Sequence, residues 1–264
     1  MIAQIKLSHP AITSLVLLIF TLVHINARAQ PIKKNLNIVF IGNSITEGTG
    51  LPDRITQAPP IRAGEKLRTL KNIGTVQVKN VGKSGSTTID WLPSKNLFLN
   101  AEKAANQFTG DSTSAQLVFS LVLGTNDSAM KGPHGAPVSP DDYHSNLMAI
   151  ADRLLNEYPD CMLIFQYPTW YSENTYNTSM YLKEGLQRLQ SYFPQIDDVV
   201  KRYHHTHPGR VFAGNKKVFK YFKRHTELFR QENGQQGIFN LHPNIQGSID
   251  LGNFWAEAIY KVMH

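Results

Sequence analysis

Ser44, His242 and Asn126 are the side chains of this sequence whose types could do chemistry together. A serine hydroxyl attacks an ester carbonyl when an imidazole takes its proton, and the tetrahedral adduct needs N–H donors aimed at its oxyanion. Ser44 offers the hydroxyl and His242 the base. Backbone N–H groups of Ser44 and of the loop 82–85, with the Asn126 amide, offer the donors. Taken singly, Ser44 also reads as the cap of a following helix, since serine Oγ accepts from the free N–H groups of a first turn. The G-x-S-x-G nucleophile elbow does not fit, because residue 46 is a threonine.

These side chains need elements to bring them together. Residues 38–41 are a wholly apolar run, the composition of a strand buried on both faces. The run ends at Gly42, where the backbone can turn, so Ser44 falls at the carboxyl end of a central parallel strand. Open α/β sheets collect their ligands at that edge. The spacing predicts further strands over 76–81, 116–123, 161–166 and 210–213. The first two of these run into the polar loops 82–88 and 124–128, and the third into the aromatic loop 167–171. Helices are expected over 60–71, 98–108, 140–158 and 176–200, the last broken near Pro194. Short helices follow to about residue 231. His242-Pro243-Asn244 precedes a final helix whose Leu251, Phe254, Trp255, Ala258, Ile259 and Val262 form one stripe. Residues 31–37 read as a mobile lead-in, 48–60 as a loop bordering the site, and 131–140, carrying His134, as a loop over the same face. Strands alternating with helices give one α/β domain with a parallel sheet.

The bounds agree with one domain. The chain has 264 residues, 41% of them hydrophobic. Residues 1–29 carry Lys6, an apolar run over 11–23 and Ala27-Arg28-Ala29, the pattern of a secretory signal peptide ahead of a single domain over 30–264. This predicts a secreted or periplasmic protein, with no stable membrane insertion after cleavage. Losing Lys6 and Arg28, with no acid between them, takes the net charge from +7 to +5. The basic residues are dispersed among acids, which is no nucleic-acid footprint. The lone Cys161 allows no internal disulfide. Gly82-Lys83-Ser84 lacks the upstream glycine of a phosphate-binding P-loop, since residue 77 is a glutamine, so nucleotide binding is not expected. His204, His205 and His207 have metal-ligand types but no downstream cluster to complete a site. No cofactor and no metal are expected.

Four blocks then fall in order: Gly42-Asn43-Ser44-Ile45, Asn80-x-Gly82-x-x-Gly85, Gly124-x-Asn126-Asp127 and His242-Pro243-Asn244. Together they resemble the SGNH hydrolases, or GDSL esterase/lipase family, across nearly all of residues 38–262. The resemblance implies a flavodoxin-like three-layer α/β/α sandwich. It implies Ser44 as nucleophile, His242 as general base, and Ser44, Gly85 and Asn126 as the oxyanion hole. Asn43 stands where the family usually has Asp. The family's triad acid lies three residues before the histidine, where this chain has Phe239. Three readings stay open there: a Ser–His dyad oriented by a backbone carbonyl, an acid from elsewhere with Glu232 and Asp250 nearest in sequence, or an impaired enzyme.

The activity implied is hydrolysis of short acyl esters, acetyl above all, on carbohydrates, with a small ester or acetylated glycan as substrate. Tyr167, Trp170 and Tyr171 either stack on a sugar ring or close the core at a strand end. The alternatives are a lysophospholipase or thioesterase of the same family, and a non-catalytic carbohydrate-binding scaffold.

Overall fold

The computed structural model describes residues 33–108, 114–132 and 134–263. The proposed signal peptide lies outside them. Five parallel strands make the central sheet: β1 (Lys34–Gly42), β2 (Ile73–Asn80), β3 (Gln116–Val122), β4 (Met162–Phe165) and β5 (Val211–Ala213), in the spatial order β2-β1-β3-β4-β5. Leu36, Ile38, Val39, Phe40 and Ile41 of β1 are all buried, because β1 has a strand on each side and helices on both faces.

Between these strands run α1 (Ser44–Glu47), α2 (Arg54–Gln57), α3 (Pro59–Arg68), α4 (Asn96–Asn106), α5 (Pro140–Glu157) and α6 (Leu182–Thr206), and after β5 come α7 (Lys217–Arg224) and α8 (Ile245–Val262). Helices α3 and α8 pack together on one face, where Trp255 stacks on Phe40 with ring centroids 5.7 Å apart. The other face carries α4, α5 and α6, joined by Arg153–Glu102 and by the Tyr203 hydroxyl donating to Asp152. This is the α/β domain with a parallel sheet that the spacing predicts, in the three-layer α/β/α arrangement that the resemblance implies.

The strand order reverses direction beside β1, with the connection to β2 going one way and β3 lying on the other side. Such a switch opens a crevice at the carboxyl ends of the strands. Gly42 pairs with Val122, so β1 and β3 end level and release their loops side by side. A small antiparallel hairpin, β6 (Glu232–Gly234) and β7 (Gly237–Phe239), stands apart from the sheet just before α8.

Three expectations are corrected. Residues 34–37 belong to β1 rather than to a lead-in, because Leu36 pairs with Val76 on one side and Gln116 on the other. Residues 176–181 are not helical, and α6 starts at Leu182. The helix then continues through Pro194 without a break. Leu186, Leu189 and Tyr192 before the proline and Ile196, Val199 and Tyr203 after it form one buried stripe, and this packing outweighs the lost backbone donor.

Pro194 itself points to solvent. Pro194→Ala therefore restores a helix donor without removing a core contact, and is expected to raise stability by about 1–3 kcal/mol. A lower melting temperature for the variant would contradict this.

Candidate active site

The chain turns sharply out of β1. A Cβ at Gly42 would lie 2.0 Å from Thr46 Oγ1, so only glycine fits. Asn43 then caps α1, its Oδ1 accepting from Ile45 N–H at 3.0 Å. Asp and Asn serve equally at such a cap, which accounts for Asn43 where the resemblance leads one to expect Asp. Capping by Asn43 leaves the Ser44 hydroxyl free of that task.

Ser44 Oγ lies 2.9 Å from His242 Nε2. On the other edge of the ring, His242 Nδ1 lies 2.9 Å and 3.0 Å from the two Glu232 carboxylate oxygens. The His242 backbone N–H also donates to Glu232, at 3.2 Å. With Nδ1–H directed at the carboxylate, Nε2 is the acceptor for the serine proton. Ser44 and His242 are each 8% exposed, so the relay is largely screened from water.

Glu232 is the residue that sequence reasoning named without choosing. In the β6–β7 ladder it pairs directly with Phe239, the position three before the histidine. Directly opposed residues in an antiparallel pair share one face, with Cβ atoms about 4.5–5.5 Å apart. The carboxylate thus reaches the imidazole from the neighbouring strand, while Phe239 turns into the core at 2% exposure. Asp250, the other nearby acid, accepts from the Tyr221 hydroxyl at 2.6 Å. The signal that would have found Glu232 is Gly234-Gln-Gln-Gly237, a turn whose register sets 232 opposite 239. Outer contacts hold the hairpin: Ser172 and Asn240 exchange hydrogen bonds, Asn174 Nδ2 donates to Ile238 O at 2.8 Å, and Gln235 N–H donates to Tyr176 O at 2.7 Å.

Burial works against ionisation of Glu232. The hydrogen bond and charge of His242 and its backbone N–H outweigh that, so the carboxyl titrates below its ordinary 4.5.

The second and third loops interlock beside Ser44. Lys83 N–H donates to Gly42 O at 2.9 Å, and Ser84 N–H to the Glu47 carboxylate at 2.7 Å. An acid of α1 therefore takes the N–H that a phosphate would need. Gly85 adopts φ 81°, a left-handed turn that suits glycine. Asn126 Nδ2 donates to Ser86 O at 2.9 Å, and its Oδ1 accepts from the Tyr181 hydroxyl at 2.7 Å. These two bonds fix which end of the amide faces the second loop. Ser44 is the first residue of α1, so its N–H has no intrahelical acceptor. Among the described residues, the Gly85 N–H has no backbone acceptor.

Asp127 locks the loops from beneath. It accepts from Thr88 N–H at 2.8 Å, Thr88 Oγ1 at 2.5 Å and Gly124 N–H at 3.1 Å. Burial pushes its carboxyl up to about 6 against those bonds, which favour the charged form.

The aromatic loop is core. Tyr167, Trp170 and Tyr171 are buried; Tyr167 donates to Asp197, Tyr171 meets Ser128 at 2.9 Å, and Trp170 packs edge-on against Phe229. The sugar-stacking reading of these rings is overturned. His204 and His205 end α6, and among the described residues no group of three or more His, Cys, Asp or Glu could hold a metal. Among the same residues no helix is long and apolar enough to cross a membrane.

Comparison with known proteins names the class. The sequence model of the GDSL-like Lipase/Acylhydrolase family matches residues 40–248, most of the chain, and the chain belongs to that family; it is a carboxylic ester hydrolase. Its fold is similar to that of a family two carbohydrate esterase from Clostridium thermocellum solved with cellohexaose (TM-score 0.53, 16% identity, 90% of this chain and 66% of that one). It is also similar to a catalytic mutant of an acetylxylan esterase from Geobacillus stearothermophilus (TM-score 0.54, 17% identity, 88% and 96%). A third is a carbohydrate acetylesterase from Sinorhizobium meliloti (TM-score 0.55, 14% identity, 86% and 99%). The chain thus spans just under two thirds of the first structure's length and nearly all of the other two. No curated protein matches by sequence.

The lowered Glu232 value sets a pH dependence. A depressed carboxyl stabilises the fold above its unfolded value of 4.5 and loses that contribution as pH falls through the folded value. The melting-temperature gap between wild type and Glu232→Gln is expected to be largest above 4.5 and to shrink as the pH falls below it. A gap that widens on acidification would contradict it.

Proposed function

We propose that this chain is a serine esterase that removes short acyl groups, acetyl foremost, from carbohydrates. The observation that carries the reading is the unbroken relay from Glu232 through His242 to Ser44, with both links at 2.9 Å. Ser44 Oγ attacks the ester carbonyl as His242 Nε2 takes its proton, and Glu232 steadies the imidazolium that forms. The oxyanion is received by the N–H groups of Ser44 and Gly85 and by Asn126 Nδ2. Collapse of the adduct expels the sugar alkoxide, which takes the proton back from His242. Water, deprotonated by the same imidazole, then releases the acid and regenerates Ser44.

The acetyl and carbohydrate parts of the reading draw on the three similar structures, whose descriptions name carbohydrate or acetylxylan esters. The protein meets such substrates outside the cytoplasm, with residues 1–29 removed as a signal peptide and 30–264 acting as one domain. A silent carbohydrate-binding scaffold drew its support from Phe239; Glu232 at the imidazole removes that support.

The test is hydrolysis of 4-nitrophenyl acetate, butyrate and octanoate by wild type and Ser44→Ala. Turnover is expected to fall with acyl length, and Ser44→Ala to lose about 10³-fold or more of the acetate rate. Equal rates in the two proteins would overturn the serine mechanism, and octanoate as the best substrate would overturn the short-acyl reading.

A further inference from the structure

The oxyanion loops carry a second imidazole on their outer side. His134 lies in the loop 131–140, and its Nδ1 is 2.8 Å from Asp90 Oδ1. Asp90 is itself fixed, since its other oxygen accepts from Thr87 N–H at 2.9 Å in the capping box of a short 3-10 helix, Thr88–Trp91. The Thr87 hydroxyl returns the contact, donating to His134 O at 3.0 Å. Thr87 is two residues beyond Gly85. On its inner side the same loop packs against the third block: Val138 N–H donates to Asp127 O at 2.9 Å, and a Cβ at Gly132 would meet Asn126 O at 3.6 Å. The loop therefore rests on both candidate oxyanion elements at once.

The pair is organised like a working histidine. In the neutral ring whose Nδ1–H faces the carboxylate, Nε2 presents a lone pair, and among the described residues Nε2 has no partner. The side chain is 51% exposed, against 21% for Asp90. His134 also holds φ 53°, so the backbone aims the ring from a left-handed turn that Asn and His tolerate better than most residues. An ester held by Ser44 and the donors of the Gly85 and Asn126 loops would bring its alcohol portion close to these loops, on which the His134 loop rests. A sugar presents hydroxyl donors there, and an oriented, unpartnered acceptor suits them.

We infer that His134 is a substrate-positioning residue, its Asp90-oriented Nε2 accepting a hydrogen bond from a hydroxyl of the sugar that carries the ester. This rests on the carbohydrate reading above. His134 serves recognition of the alcohol part and takes no proton in the acyl transfer.

The experiment compares kcat and KM on partially acetylated xylan and on 4-nitrophenyl acetate, which lacks any sugar hydroxyl. The variant is His134→Gly, which is at home at φ 53° and has no side chain to accept a hydrogen bond. One lost hydrogen bond is expected to lower the ratio of kcat/KM for xylan to that for the aryl ester about tenfold, through KM. Melting curves confirm that the variant folds. An unchanged ratio, whether both activities fall together or neither moves, would overturn the role of His134 while leaving the esterase reading intact. A wild-type protein that cleaves the aryl ester but no acetylated xylan, mannan or cellulose would overturn the carbohydrate reading and this inference with it.

Discussion

The contact between the Glu232 carboxylate and His242 ties the small hairpin to the end of the main sheet. It holds the ring by its Nδ1 edge and the backbone by the His242 N–H, so one carboxylate sets both the tautomer and the approach of the imidazole. Were the hairpin to shift its register by one residue, every side chain on it would change face. Glu232 would then turn away from the ring and Phe239 out of the core. The apolar burial of Phe239 and the polar bond of Glu232 therefore enforce the same register.

At the other end of the relay, the level ends of β1 and β3 are the constraint. They release the loops that carry Ser44 and Asn126 side by side, and the remaining polar contacts refine that placement. Asn43 caps the helix that Ser44 begins, Glu47 of that helix holds the second loop at Ser84, and Tyr181 orients the Asn126 amide. Asp127 binds the second loop to the third from a fully buried position, where its three accepted bonds offset part of the cost of burial. Catalysis by preorganised donors needs this kind of support, because a donor that must reorient loses much of its value.

Most of the architecture could be read in the chain. The apolar run 38–41 marked the central strand, and the stripes of α5 and α8 marked their buried faces. Ser44, Gly85, Asn126 and His242 were each legible because a glycine-bearing turn or a helix start lies next to them. Glu232 was not, because its relation to the histidine is set by a cross-strand pairing ten residues away rather than by a fixed step along the chain. Pro194 misled for a related reason: local propensity forecast a break, and a buried stripe on both sides of it prevailed. The aromatic loop was ambiguous at the level of composition, and only burial and hydrogen bonding assigned its rings to the core.

The central claim is that the acid of this site stands at position 232, across the hairpin from where the family resemblance would put it. Its most direct test is kcat/KM for 4-nitrophenyl acetate in Glu232→Gln beside Asp250→Asn, which removes the other nearby acid. The expected result is a fall of about 10³–10⁴-fold for Glu232→Gln and a change of no more than about threefold for Asp250→Asn. Near wild-type activity in Glu232→Gln, or an equal loss in Asp250→Asn, would contradict it.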